Sequence, residues 1–375
     1  MNEDATAVAR FSDLLVSIHG NRATGLTLDP ITDPHLCTLI RRHIVRLVEA
    51  LVSNQSIFTV KISTLFLIGL NRVDQRNILR TLWSIKTLGV LQLGTDSETT
   101  SKISLNALAE SLKNVPLHDD PKKFRRLLLK NIQIQSPDEV EEFAQGLRRI
   151  GRVLSATEVV MGPFVVAGND AKETKYILDP LMYLMSEMMA HRRVIHVKSY
   201  NGGLPLISRE ASQSLMAAFQ GTGTVFQRGF PSVLEMRGLG LDDVTIAAMT
   251  STLQAFPHHL GEVSLFDNPS LTARCLEFWL RAIDHCETLS SIQFGIEDWD
   301  ATIKLHVKLN GLGRREAIEN GLYTNRRIWC NWMAQLTTIK RLVQKFHFER
   351  YCRDNDALAL SSIFLTVRSQ PSFVS

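Results

Sequence analysis

The chain has 375 residues with 42 basic and 38 acidic side chains, a formal net charge of +4. A hydrophobic content of 45% with 21% charged residues is ordinary for a folded protein and excludes a disordered or collagen-like chain. The net charge is too low for a nucleic-acid-binding track, and acids lie close to most of the basic doublets, so we expect no nucleic-acid partner.

The N-terminal residues MNEDATAVARF contain acids where a secretory signal peptide would carry a basic segment. No apolar stretch reaches the length of about 18 residues that a transmembrane helix needs. Five cysteines are widely spaced without a CxxC pair, which is typical of reduced thiols. We therefore expect an intracellular, cytoplasmic monomer without a membrane partner, and a nuclear location stays open.

The first half of the sequence alternates short apolar pairs with longer amphipathic stretches. The pairs that predict strands are Leu26-Leu28, Val60-Ile62, Leu91-Leu93, Leu127-Leu129 and Val159-Met161. The stretches 36–51 and 140–150 follow a helical period, and Ser136-Pro137 is typical of a helix start. The first half therefore predicts alternating strands and helices with irregular spacing.

Residues 194–294 contain the clearest repetition. The strand-like pairs Leu234/Met236, Val263/Leu265 and Ile292/Phe294 recur at a step of 29 residues, and Ile195/Val197 precede them across a predicted loop at 221–231. Helical stripes follow three of these strands: Ile207, Ala211, Leu215 and Phe219; Leu241, Thr245, Met249 and Leu253; Leu271, Cys275, Trp279 and Ile283. A single strand-helix unit cannot bury its apolar side alone, so the pattern predicts stacked units.

These patterns predict an α/β solenoid with parallel strands on its concave side and helices on its convex side. We expect an N-terminal extension at residues 1–20, the repeats at 21–300, and a helical C-terminal cap and tail at 301–375. The alternative is a non-repeating α/β domain with the same alternation of elements.

The segment VSLFDNPSL, from Val263 to Leu271, resembles the ribonuclease-inhibitor-like leucine-rich repeats, whose units read LxxLxLxxNxL. The resemblance implies a horseshoe in which Asn268 joins adjacent units, with Asn131 and Asn201 as further candidates for that role. Gly238 stands near the position where the family has an asparagine.

The segment IKLHVKLNGLGRREAIENG, residues 303–321, is similar to the end of a group of leucine-rich-repeat proteins common in unicellular algae. In those proteins the last repeat runs into an LxLNxxGR segment, which is followed by a helix that contains tryptophan. Here Trp329 and Trp332 follow the corresponding segment. The resemblance implies a helical cap over the last repeat and no enzymatic role.

The sequence contains no GxxxxGK[ST], HExxH, GxSxG or CxxC signature. We therefore expect no enzymatic activity and no cofactor. His258, His259 and His285 fall in neighbouring turns of the predicted repeats, where a metal site is one interpretation. Polar residues at helix ends are the favoured interpretation, so we expect no metal. Asp242-Asp243 is interpreted as a helix cap rather than an acid-base pair.

Residues that alternate with the buried strand pairs would point to the concave face. These positions are Thr59, Lys61, Gln92, Leu128, Lys130, His196, Lys198, Glu235, Arg237, Ser264, Phe266 and Gln293. Leu128 and Phe266 would be exposed apolar side chains among polar ones, a combination typical of protein-binding surfaces. The partner-binding residues that we predict are Lys61, Lys130, His196, Lys198, Glu235, Arg237, Phe266 and Gln293.

The sequence thus favours a non-catalytic scaffold that binds an unidentified partner protein on its concave strand face. One alternative is a regulator of a small GTPase, because one branch of this repeat type stimulates nucleotide hydrolysis. That role would use an arginine or asparagine on a loop at the strand ends, such as Arg237 or Asn268. A concave face that is solvated and binds nothing is the other interpretation.

Overall fold

A computed structural model describes residues 3–95, 101–116, 123–167, 172, 174–190, 192–200, 203–220, 232–255, 258–284, 288–300 and 303–304. The predicted loop at 221–231 and nearly all of the predicted cap at 301–375 lie outside these ranges, as do Asn201 and His285. Within them, no helix has the length and apolar character that crossing a membrane requires.

The described strands form one parallel sheet that runs in chain order. The strands are β1 (Gly25–Leu28), β2 (Thr59–Ile62), β3 (Val90–Leu93), β4 (Ile103–Ser104), β5 (Arg126–Leu129), β6 (Ile132–Ile134), β7 (Glu158–Val166), β8 (Val194–Ser199), β9 (Ser232–Arg237), β10 (Leu260–Ser264) and β11 (Ser291–Gln293). The main path is β1-β2-β3-β5-β7-β8-β9-β10-β11, which follows chain order and leaves out β4 and β6. The prediction of alternating strands and helices around a parallel sheet is confirmed.

The predicted apolar pairs meet in register across the whole sheet. The first members of the pairs form one ladder of neighbours: Leu26, Val60, Leu91, Leu127, Val159, Ile195, Leu234, Val263 and Ile292. Each of these side chains is buried. A shift of one residue in any strand would turn its apolar pair to the other side of the sheet, so the pattern fixes the register.

The helices pack against one another in chain order, with one exception. They are α1 (Glu3–His19), α2 (Pro34–Arg42), α3 (Ile44–Ser53), α4 (Thr64–Ile68), α5 (Arg72–Ser84), α6 (Leu105–Lys113), α7 (Pro137–Ile150), α8 (Asp179–Ser186), α9 (Arg209–Ala217), α10 (Asp243–Ala255) and α11 (Ala273–Asp284). The exception is α4, which contacts β4 while α3 packs against α5. The predicted stripes on α9, α10 and α11 are buried except for the half-buried Leu271. Helix stripes and strand pairs belong to one apolar core, which lies on a single side of the sheet.

Residues 3–19, within the predicted N-terminal extension, form α1. Its apolar side chains Ala7, Phe11, Leu15 and Ile18 are buried. This helix packs against α2 and α3, and it therefore covers the helix layer at the start of the sheet.

A second, shorter ladder leaves the main sheet at its centre. Strand β4 pairs with β6, and β6 pairs with the second half of β7, which is nine residues long. The chain turns this corner at Gly162, where φ is +102°. A Cβ atom at Gly162 would lie 2.2 Å from the carbonyl oxygen of Lys198, so only glycine fits there.

Candidate functional site

The side of the sheet opposite the helices, the open face, carries a central row of nine side chains in register. Between the buried pairs lie Thr27, Lys61, Gln92, Leu128, Val160, His196, Glu235, Ser264 and Gln293. The sheet spaces neighbouring members by about 4.8 Å. The predicted residues Lys61 and Gln293 therefore stand near opposite ends of the row, seven strand spacings or roughly 34 Å apart along the sheet.

Three predicted residues meet in one cluster on β8 and β9. His196 Nδ1 lies 2.8 Å and Lys198 Nζ 3.1 Å from Oε2 of Glu235. Burial by itself would raise the pKa of Glu235. The hydrogen bonds from His196 and Lys198 outweigh it and hold that pKa below its usual value. The carboxylate therefore stays ionised and fixes both neighbours in position.

Two further cross-strand ion pairs border this cluster. Arg237 Nε lies 2.6 Å from Oδ2 of Asp267. On the other side, Arg126 donates two hydrogen bonds to the carboxylate of Glu158, at 2.6 and 2.9 Å. The bidentate Arg126–Glu158 pair has fixed geometry as well as charge, whereas Arg237 and Asp267 share a single hydrogen bond.

The prediction of an exposed Leu128 is wrong. Leu128 is 7% exposed and its neighbour Val160 is 9% exposed. Val194 and Val233, which precede the buried pairs of β8 and β9, are half-buried on the same face. Leu128 and Val160 are direct neighbours in register, and Gln92 and His196 flank them on the adjacent strands. The apolar part of the open face is thus a recessed strip.

The remaining predicted residues take separate positions on the same face. Phe266 is half-buried, and its ring lies over Gly295, where a Cβ atom would come within 2.6 Å of it. Lys130 is half-buried beyond the end of β5, whereas Lys61 and Gln293 are exposed. The structure therefore places all eight predicted residues along one face but brings only His196, Lys198 and Glu235 into contact as a group.

The histidine pair lies at the edge where the strands begin. His258 is buried, and burial, together with the neighbouring His259, lowers its pKa to about 4. The His259 Nε2 atom is 2.7 Å from a guanidinium nitrogen of Arg193. His285 lies outside the described residues. Among the residues that the structure describes, no group of three or more histidine, cysteine, aspartate or glutamate side chains could hold a metal ion.

Asp242 is a helix cap, because its Oδ1 accepts a hydrogen bond of 2.8 Å from the Thr245 amide at the start of α10. Asp243 instead accepts a 2.8 Å hydrogen bond from the Thr272 amide of the next unit. The interpretation as a helix cap therefore holds for Asp242, whereas Asp243 connects α10 to the next unit.

Asn268 is hydrogen-bonded to two units. Its Nδ2 donates to the carbonyl oxygens of Met236 and Leu265, both at 2.9 Å. Its Oδ1 accepts from the amides of Leu239 at 2.9 Å and Leu241 at 3.2 Å. Asn131 makes a related contact, donating to the Thr95 carbonyl oxygen of the preceding unit at 2.9 Å.

Sequence reasoning missed the Arg126–Glu158 pair and the recessed valines. Arg126, Glu158 and the valines occupy strand positions that precede or alternate with the buried pairs. The register of the strands could therefore have revealed them. A comparison with models of known protein families found no match to this chain. No curated protein matches its sequence either.

Proposed function

We propose that this chain is a ribonuclease-inhibitor-like leucine-rich-repeat protein whose open face binds a partner protein without catalysis. The 29-residue step from Leu234 to Val263 to Ile292 supports the assignment, because these residues are neighbours on successive strands. The hydrogen bonds of Asn268 support it further, because they connect one unit to the preceding one. In such a horseshoe the open face is the concave side.

The observation that carries the binding proposal is the fixed charge pattern around a recessed apolar strip. Leu128, Val160, Val194 and Val233 form the strip, and the His196–Lys198–Glu235 cluster lies beside it on β8 and β9. An apolar centre with a polar rim is the usual anatomy of a protein-protein interface. Because ion pairs already order His196, Lys198 and Glu235, these side chains lose little conformational entropy when a partner binds.

The test is recovery of a partner from native extract by the full chain. We expect the double variant Lys198→Glu, Arg237→Glu to lose the partner that the unmodified chain recovers, since both changes reverse charge on the open face. The matched control is Arg209→Glu, Arg274→Glu on exposed positions of α9 and α11. Retention of the same partner by the open-face variant would show that another surface binds it.

Stimulation of a small GTPase is the alternative role, and the geometry favours it less. Asn268 is 7% exposed and its amide is hydrogen-bonded to main-chain groups on both sides, so it does not reach a bound protein. Arg237 is accessible but bound to Asp267. We expect GTP hydrolysis by a panel of small GTPases to proceed at the same rate with and without the chain.

A further inference from the structure

Five arginines on the helix side of the sheet form a patch of unpaired charge. They are Arg42 at the end of α2, Arg46 on α3, and Arg72, Arg76 and Arg80 on α5. All five are exposed. In the described part of the chain, none of these side chains makes an ion pair or a hydrogen bond to a protein group. We call this set the arginine patch.

Several exposed arginines elsewhere in the described ranges bind carboxylates. Arg126 binds Glu158, Arg148 binds Glu187, and Arg237 binds Asp267. Residues 41–80 instead contain seven basic and two acidic side chains, a net charge of +5 against +4 for the whole chain. One of the two acids, Asp74, accepts a hydrogen bond from Asn71. Residues 41–80 therefore carry a local excess of positive charge.

The spacing of the arginines is regular. Arg72, Arg76 and Arg80 are four residues apart on one helix, which aligns them along one side over about 12 Å. Helix α3, which carries Arg46, packs directly beside α5. Apart from Arg42, the arginine patch is therefore a two-helix surface with a row of three cations on α5.

Apolar side chains lie on the same two helices. Val45 and Val52 on α3 are 59% and 70% exposed, and Val73 on α5 is 56% exposed. Val52 also lines a groove of about 700 Å³ between the ends of α3 and α5, together with Ile85 and Lys86. Exposed valines among arginines are suited to a ligand that has both negative charge and apolar side chains.

We propose that the arginine patch binds an acidic amphipathic helix of a partner protein. Carboxylates at every fourth residue of such a helix repeat at the same interval of about 6 Å as the arginines of α5. The guanidinium fork fits a carboxylate with two hydrogen bonds, and all five cations are arginines. The apolar side of the ligand helix covers the valines and reaches the groove beside Val52.

A phosphate ligand fits these observations less well. Single-stranded nucleic acid binds by stacking bases on aromatic side chains, and the exposed residues of α3 and α5 include none. Helices that bind anionic membranes place large side chains such as Trp, Phe and Leu at the membrane interface. The exposed apolar residues of α3 and α5 are valines. The patch lies on the opposite side of the sheet from the open face, so this proposal is independent of the proposed function.

The test measures binding of a fluorescein-labelled synthetic helix of about 20 residues, with glutamate at every fourth position and leucine on another side, to the full chain. We expect anisotropy to report binding that weakens with added salt. The double variant Arg76→Gln, Arg80→Gln should bind about tenfold more weakly, because two exposed ion pairs are lost. The affinity of the variant Arg76→Lys, Arg80→Lys should lie between those of the unmodified chain and the glutamine variant. Lysine keeps the positive charge but cannot make the two parallel hydrogen bonds of a guanidinium group.

The matched control is Arg209→Gln, Arg274→Gln, which removes two exposed helix arginines elsewhere and should leave the affinity unchanged. If the Arg76→Gln, Arg80→Gln variant binds the peptide as tightly as the Arg209→Gln, Arg274→Gln control, the proposal is overturned. Tighter binding of the unmodified chain to vesicles containing phosphatidylserine, or to oligodeoxythymidylate, than to the peptide would also overturn it. The open-face partner should be recovered equally by all these variants, which separates failure here from failure of the proposed function.

Discussion

Arg152 donates a hydrogen bond of 2.9 Å from its guanidinium to the main-chain oxygen of Trp83, near the C-terminal end of α5. A second bond of 2.6 Å goes to the Leu88 carbonyl oxygen, and the guanidinium carbon lies 4.2 Å from the centre of the Phe124 ring. Arg152 is 3% exposed, and burial lowers its pKa to about 10. A single buried side chain ahead of β7 thus contacts the two preceding units, through main-chain oxygens ahead of β3 and through the ring of Phe124 ahead of β5.

We expect Arg152→Met to lower the free energy of unfolding by about 3 kcal/mol, because the buried carbonyls of Trp83 and Leu88 lose their donors. Urea denaturation followed by circular dichroism measures this change. The control Arg209→Met alters an exposed arginine on α9 and should change stability by less than about 0.5 kcal/mol. Equal stability of the two variants would mean that Arg152 does not connect the units.

Asn268→Ala should also destabilise the fold by about 3 kcal/mol, because the side-chain amide of Asn268 is hydrogen-bonded to buried main-chain groups of two units. The same denaturation experiment applies, with Asn106→Ala on an exposed position of α6 as the matched control. If Asn268→Ala unfolds at the same urea concentration as Asn106→Ala, the asparagine contacts do not stabilise the stacking of units.

His258 makes stability depend on pH. Its pKa falls from 6.5 to about 4 on folding, chiefly because burial disfavours the charged ring. The unfolded chain therefore binds more protons than the folded one between these values, so stability drops as pH falls from about 6.5 to about 4. The cost approaches roughly 3 kcal/mol below pH 4, at about 1.4 kcal/mol per unit of pKa.

The variant His258→Gln should lose that part of the pH dependence, measured as the urea midpoint at a series of pH values. His19→Gln, at an exposed position on α1, serves as control and should keep it. A His258→Gln curve that parallels the unmodified chain between pH 4 and 6.5 would contradict the burial of a neutral ring.

The thiols of Cys37 and Cys275 should not react in the folded protein. Burial is the largest cause that raises their pKa values, to about 11 and about 12. At pH 8 the thiolate fraction is therefore on the order of one in a thousand or less. Iodoacetamide labelling mapped by peptide mass spectrometry should show these two residues modified only in denaturant, and rapid labelling under native conditions would contradict their placement.

The sheet was predictable because one simple pattern determined it. Paired apolar residues such as Leu234 and Met236 can occupy only the helix side of a strand, so their positions fixed both the strands and the register. The 29-residue step made the later units clear. The nine-residue β7 was predicted only in part, because the corner at Gly162 depends on close backbone approach to Lys198 rather than on apolar spacing.

The candidate site was predictable by position but not by contact. Alternation placed His196, Lys198 and Glu235 on one face, yet only the observed geometry gives the shared carboxylate. Leu128 was expected to be exposed because the alternation of residues along a strand shows which side of the sheet a side chain faces, but not how far its neighbours bury it. Arg152 and Arg193 resemble surface residues in sequence, and their burial follows from helix ends that need donors.

Site-specific photocrosslinking in native extract tests whether a partner protein binds the open face. The photoreactive residue p-benzoylphenylalanine is placed at Lys61 or Gln293 on the open face, or at Arg209 on α9 as control. We predict that Lys61 and Gln293, at exposed positions on β2 and β11, form adducts with a single protein whereas Arg209 forms none with it. Adducts with that protein from Arg209 alone would contradict binding at the open face.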